Sequence, residues 1–137
     1  TVHGKRIALL KMIKNDRIDI NDRCYIYTKK MGAQFVKSRI VLNCSLNGDL
    51  NMRFFEALSY GVCQLANYDM VGWKDLGFEE GKHFLGYSSL DEAVEKTQWA
   101  LDNNMEREEI AKAGQELVRS AHTYEHRINE MLNIVGV

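Results

Sequence analysis

The sequence predicts an α/β domain: a parallel sheet of about four strands, helices on both of its faces, and a C-terminal third that is helical throughout. Three observations predict it. Short apolar runs alternate with segments of helical periodicity. The best of those runs, 39–44 and 61–66, show no alternation between apolar and polar positions, as strands covered on both faces should not. From residue 89 onward the apolar residues recur every three to four positions to the end of the chain.

The first helix is expected over 5–14, where Ile7, Leu10 and Lys14 share a face that Leu9, Met12 and Ile13 widen. Residues 18–20 form the weakest strand candidate. A second helix over 25–37 places Met31 and Phe35 four apart. The strand over 39–44 is β-branched and apolar, and a short helix over 51–60 follows it, stopped by Gly61. Strands over 61–66 and 83–87 come next, with at most a turn or two over 71–76, ended by Gly77.

In the last third, Ser89 and Glu92 have the spacing of a capping box, and Leu90, Val94 and Leu101 with Ala93 and Thr97 form one stripe to about residue 103. Residues 106–120 repeat the pattern with Ile110, Ala113, Leu117 and Val118. Thr123 is the natural N-cap of a final helix whose stripe is Tyr124, Ile128, Met131, Leu132 and Val135. Strand–helix alternation of this kind is Rossmann-like: a three-layer domain with right-handed crossovers, binding ligands at the carboxyl ends of its strands.

Composition bounds the rest. The 137 residues suit a single domain over 1–137, and 45% hydrophobic with 27% charged residues is ordinary for a globular chain. A net charge of -1 provides no field for nucleic acid or acidic membranes. No apolar run reaches the roughly 18 residues of a membrane span, and no signal peptide is visible, so a cytoplasmic protein, or a soluble domain of a larger one, is expected. Cys24, Cys44 and Cys63 are odd in number and lack a C-x-x-C pair, which argues for reduced, mostly buried thiols. No histidine–carboxylate group has metal-ligand spacing, so neither a metal nor a cofactor is expected.

The chemistry concentrates in Gly48-Asp49-Leu50-Asn51-Met52-Arg53-Phe54-Phe55-Glu56-Ala57. With Asn51 or Asp49 as the cap, Arg53 lies in the first helical turn. There the dipole is already positive and the amides lack partners. A cation is unfavourable at that end unless an anion sits between it and the helix. Glu56, three residues on, shares its face, while Phe54, Ala57 and Leu58 face the sheet. Two readings follow. The pair neutralise each other on a solvated face; or cation and amides hold a diphosphate while the carboxylate accepts from two adjacent hydroxyls, as on a ribose. No G-x-G-x-x-G or Walker sequence is present.

Other residues have bland readings. His122, Thr123 and Tyr124 are expected to be structural: Thr123 caps, Tyr124 packs and His122 bonds a neighbouring backbone group. Lys82 and His83 are expected at the surface, and Trp73 and Trp99 in the core or at a partner contact.

The run Ser38-Arg39-Ile40-Val41-Leu42-Asn43, then Asn51-Met52-Arg53-Phe54-Phe55-Glu56-Ala57, then Gly61, resembles the donor-binding domain of the GT-B glycosyltransferases. It is most similar to glycosyl transferase group 1 and the CgeB-like spore maturation family. Phe78-Glu79-Glu80-Gly81-Lys82, Tyr87 with the helix after it, Ile110-Ala111-Lys112-Ala113-Gly114 and His122-Thr123-Tyr124-Glu125-His126-Arg127 follow in the family's order.

The resemblance implies transfer of a sugar from a nucleotide diphosphate to an acceptor, the nucleotide-sugar being the donor substrate. It gives Glu56 the donor ribose and faces the preceding turn toward the diphosphate, which the reading of the residues assigns to Arg53 and the amides near Asn51. Many relatives carry two glutamates separated by seven residues. Glu56 fits the second, Gly48 falls at the first, and Asp49 beside it would touch the sugar instead.

GT-B enzymes have two such domains, and this chain has room for the second. Its expected partner is therefore the missing N-terminal acceptor domain, or another chain on the same face, including a second copy. The alternative is a stand-alone, non-catalytic nucleotide- or partner-binding module.

Overall fold

The structure is a computed structural model that describes residues 2–14, 18, 29–45 and 47–136. Among the described residues three parallel strands in the order β1-β2-β3 form the sheet: β1 (Ile40–Asn43), β2 (Cys63–Asn67) and β3 (Leu85–Tyr87). Ile40 pairs with Cys63 and Asn43 with Ala66, and Asn67 pairs with Tyr87. The carboxyl ends of all three strands therefore lie along one edge. The expected strand at 18–20 falls, apart from Ile18, outside the described residues; Ile18 packs against the core.

Every residue of β2 is buried, as befits a central strand covered on both faces. Cys63 and Leu65 join Leu9 and Ile13 of α1 (Val2–Ile13), Ala93 and Ala100 of α4 (Leu90–Asp102), and Ile110 of α5 (Asn104–Ala121). On the other face Ala66 packs with Phe54 and Leu58 of α3 (Met52–Ser59) and with Met70, Trp73, Phe78 and Phe84. The aromatic rings there meet edge to face, Phe54 and Phe78 at 5.0 Å and Phe54 and Phe84 at 5.3 Å. The second helix, α2, runs Lys29–Lys37 and sets Phe35 5.9 Å from Tyr60 at the end of α3. Helix α6 (Tyr124–Val135) closes the described chain.

Burial holds the Cys63 thiol up at about 12, so it behaves as an apolar core group. Cys44, just past β1, is half-buried. Gln64 is an exception to a satisfied core: it is fully buried, and neither amide atom finds a partner among the described residues.

Helix ends follow their chemistry, with two departures. Ser89 Oγ accepts from Glu92 N–H at 3.1 Å, but Glu92 reaches back to Ser88, taking its N–H at 2.8 Å and its hydroxyl at 2.6 Å, so the expected box closes one residue early. Thr123 caps α6 in a box closed by His126. The strand expected from residue 83 starts at Leu85, because Glu79 O accepts from His83 N–H and Gly81 N–H donates to Phe84 O in a tight turn. His83 is thereby buried, contrary to its expected surface position, and its Nδ1 accepts from Glu79 N–H at 2.9 Å. Lys82 remains exposed, pairing with Glu79.

Helix α5 passes so close to this turn that a Cβ on Gly114 would strike His83 O. Among the described residues no helix is long and apolar enough to cross a membrane.

Candidate functional site

The carboxyl edge of the sheet is polar where the rest of the sheet, Gln64 apart, is apolar. Asn43 ends β1 and Asn67 ends β2, both buried, and Tyr87, also buried, ends β3. Buried amides are costly unless bonded. Asn43 and Asn51 exchange side-chain amide hydrogen bonds, each 3.2 Å long. Asn67 Oδ1 accepts from Ser45 N–H at 2.7 Å, and Asn67 Nδ2 donates to Asp69 Oδ1. Tyr87 Oη donates to Asn43 O at 3.4 Å. Burial first, then Cys44 and Asp69, push the Tyr87 phenol above its usual range, leaving it a neutral donor.

The loop from β1 to α3 is tied into this edge. Ser45 Oγ donates to Asp49 Oδ1 at 2.9 Å. Val71 N–H donates to Gly48 O at 2.8 Å, joining the loops after β1 and β2. Gly48 has φ +72°, and a Cβ there would sit 3.1 Å from Asp69 O. Both facts explain why no acidic side chain occupies this position: left-handed backbone and a close carbonyl favour glycine.

Asn51 is the N-cap of α3. Its backbone is extended and its Oδ1 accepts from Phe54 N–H at 3.2 Å. Among the described residues, no hydrogen bond leaves the Met52 or Arg53 amides, so the helix presents unpaired donors at its positive end. Phe54, Ala57 and Leu58 are fully buried, while Arg53 is exposed and Glu56 half-buried. No ion pair among the described residues includes Arg53 or Glu56. In this structure the two side chains form no ion pair with each other.

The structure thus places Asp49 in a chain with Ser45, Asn67 and Asp69, and Asn51 in a separate amide pair with Asn43, both at the carboxyl edge. Arg53 and Glu56 stand outside both, on the helix that Asn51 caps. Asn43, Asn67 and Asp69 were missed by sequence reasoning. The available signal was an asparagine closing an apolar strand run, at 43 and again at 67. Among the described residues, no group of three or more His, Cys, Asp or Glu side chains is placed to hold a metal ion.

The corner before α6 is structural, in two of its three residues as expected. His122 Nε2 bonds Leu76 O at 2.9 Å, its ring stacks on Phe78 with centroids 5.1 Å apart, and Thr123 caps. Tyr124 does not pack: it is 74% exposed, and its hydroxyl reaches Met52 Sδ at 3.9 Å.

Two shallow depressions lie elsewhere, one of about 470 Å³ between β3, α4 and α5 and one of about 420 Å³ between the turn at Gly81 and Lys82, α4 and α5. They share Gly81, Trp99 and Ile110 and include none of the residues at the carboxyl edge. Trp73 is buried in the core; Trp99, lining both depressions, is 40% exposed.

Residues 1–133 match the family described as glycosyl transferase-like. Neither a curated protein nor a solved structure matches the chain.

Proposed function

The chain belongs to the glycosyl transferase-like family, and from that premise we propose that it is a donor-binding domain holding the nucleoside diphosphate of an activated sugar at the carboxyl edge of its sheet. One observation carries this reading: an arginine in the first turn of α3 has no carboxylate partner among the described residues, beside two unpaired amides. Arg53 and the amides of Met52 and Arg53 hold the diphosphate, where charge-assisted bonds and the helix dipole act together. Glu56, one turn further in, accepts from the two ribose hydroxyls. Asp49, anchored through one oxygen by Ser45, offers the other to the sugar. Stabilising the departing diphosphate is the contribution such a half-site makes to transfer. Acceptor binding belongs to a second domain or chain.

Calorimetry with ribo- and 2′-deoxyribonucleoside diphosphates tests the assignment. Loss of the 2′-hydroxyl weakens binding to the unaltered chain, and Glu56→Ala makes the two ligands equivalent with the fold intact. Equal discrimination by the parent and by Glu56→Ala rejects the role given to Glu56.

A second reading is favoured by α6. No residue of that helix is buried, and Tyr124, Ile128, Met131, Leu132, Ile134 and Val135 are exposed apolar groups. A face of that kind suits a module docked on a partner domain or a second copy. Sedimentation separates the readings: a monomer that binds nucleotide favours the first, an obligate dimer indifferent to nucleotide the second.

A further inference from the structure

Among the described residues, Asn67 is the one side chain that bonds both the loop after β1 and the loop after β2. It ends the central strand and is 8% exposed, a place where an apolar group costs less unless both amide atoms are bonded. Both are bonded. Oδ1 takes the Ser45 amide at 2.7 Å and Nδ2 gives to Asp69 Oδ1. Ser45 lies on the loop after β1 and Asp69 on the loop after β2. The same two loops meet through Val71 N–H and Gly48 O. Ser45 then holds Asp49, and the segment ends on Asn51, the cap of α3. Backbone amide, side-chain amide and carboxylate form a chain from the end of the central strand to Asp49, two residues before the cap of α3.

We infer that Asn67 is a positioning residue of the donor site. It acts through Ser45 on loop 45–51 and through Asp69 on the facing loop, without touching the donor itself. The inference rests on the donor-binding reading above. It assigns Asn67 the conformation of the loop that presents Asp49 and the first-turn amides of α3. Without the amide, the loop keeps its sequence and loses its side-chain tie to β2.

Asn67→Asp is the informative variant. It keeps an acceptor for Ser45 N–H and sets a second carboxylate against Asp69. Adding Asp69→Asn restores one donor and one acceptor with their roles exchanged. UDP, GDP, ADP and TDP are titrated into each chain by calorimetry, and amide hydrogen exchange is followed over residues 45–51.

Asn67→Asp is expected to weaken diphosphate binding by about tenfold near neutral pH and to speed exchange in the loop. The deficit should shrink toward about pH 5, where two facing carboxylates share a proton. The double variant should recover affinity to within about threefold of the parent. Asp69→Leu, which strands Asn67 Nδ2, should show a loss in the same direction. A structural role alone would lower the melting temperature of each variant and leave affinity independent of pH.

The inference is overturned if Asn67→Asp binds as the parent does, or if the folded double variant stays as weak as the single one. If the parent binds none of the four diphosphates, the donor reading itself fails and takes this inference with it. Binding by the parent, undisturbed in Asn67→Asp, sinks the inference alone.

Discussion

Asn43 and Asn51 face each other across the end of β1 with their side-chain amides paired, two hydrogen bonds of 3.2 Å, and the same Asn51 oxygen caps α3 through Phe54 N–H. One side chain thus fixes where the helix starts and how it meets the sheet. Asn51→Ala removes a cap worth about 1 kcal/mol and leaves a buried amide unpaired at a further cost of about 1–3 kcal/mol. Urea unfolding of both single alanine variants and the double variant measures this. The double variant should lose clearly less than the two singles together; strict additivity would show that the pair is not coupled.

Arg53 separates stability from binding. A cation in the first turn opposes the helix dipole, so Arg53→Ala should leave the unfolding free energy unchanged or raise it by about 0.5 kcal/mol. The same change should weaken diphosphate binding at least about tenfold. Chemical denaturation and calorimetry on one preparation check both. A variant that is destabilised yet binds normally would make Arg53 a structural residue.

Gln64 is a buried amide with neither atom bonded among the described residues. Gln64→Met keeps its approximate volume and removes the unsatisfied groups. The expected gain is about 1–2 kcal/mol in unfolding free energy, read as a higher urea midpoint with an unchanged slope. A loss of stability would mean that the amide is satisfied in solution.

Two histidines give the fold an acid sensitivity of known sign. His122 Nε2 bonds a carbonyl, so it carries the proton, and Nδ1 receives Arg127 at 2.6 Å, so the ring is neutral. Burial, then Arg127 and His126, hold its pKa below 6.5 despite the Leu76 carbonyl. His83 is shifted the same way by burial and Lys82. The neutral rings contribute stability that is complete above about 6.5 and is lost as pH falls through their lowered values. Glu79, Glu80 and Glu92 are held below 4.5, Glu92 at about 2, so their contributions survive this window. Urea midpoints measured from about pH 7.5 to pH 5 should fall, and His122→Asn should flatten the curve. A flat profile in the parent chain would contradict the assignment.

Much of this was legible in the sequence, because the signals were local. The run 61–66 reads as a covered strand since every position is apolar or small except Gln64, and every residue of β2 is buried. Thr123 and Ser89 announce helix starts through their side chains alone. Phe54, Ala57 and Leu58 fix which face of α3 is inward, and so leave Arg53 and Glu56 outside. What was not legible depends on partners distant in sequence. Asn67 meets Ser45 across 22 positions, and nothing near either residue announces it. His83 is buried by a turn whose hydrogen bonds no periodicity encodes. The stripe beginning at Tyr124 has the right spacing for packing, but spacing does not name what it packs on, and here the tyrosine is exposed.

The most direct test of the donor-binding account is an amide-resolved NMR titration of the chain with UDP, GDP, ADP and TDP. The account predicts saturable shifts centred on Asp49, Asn51, Met52, Arg53 and Glu56, extending to Ser45 and Asn67. Shifts confined to the depression around Lys96, Trp99 and Ile110, or none with any of the four, would contradict it.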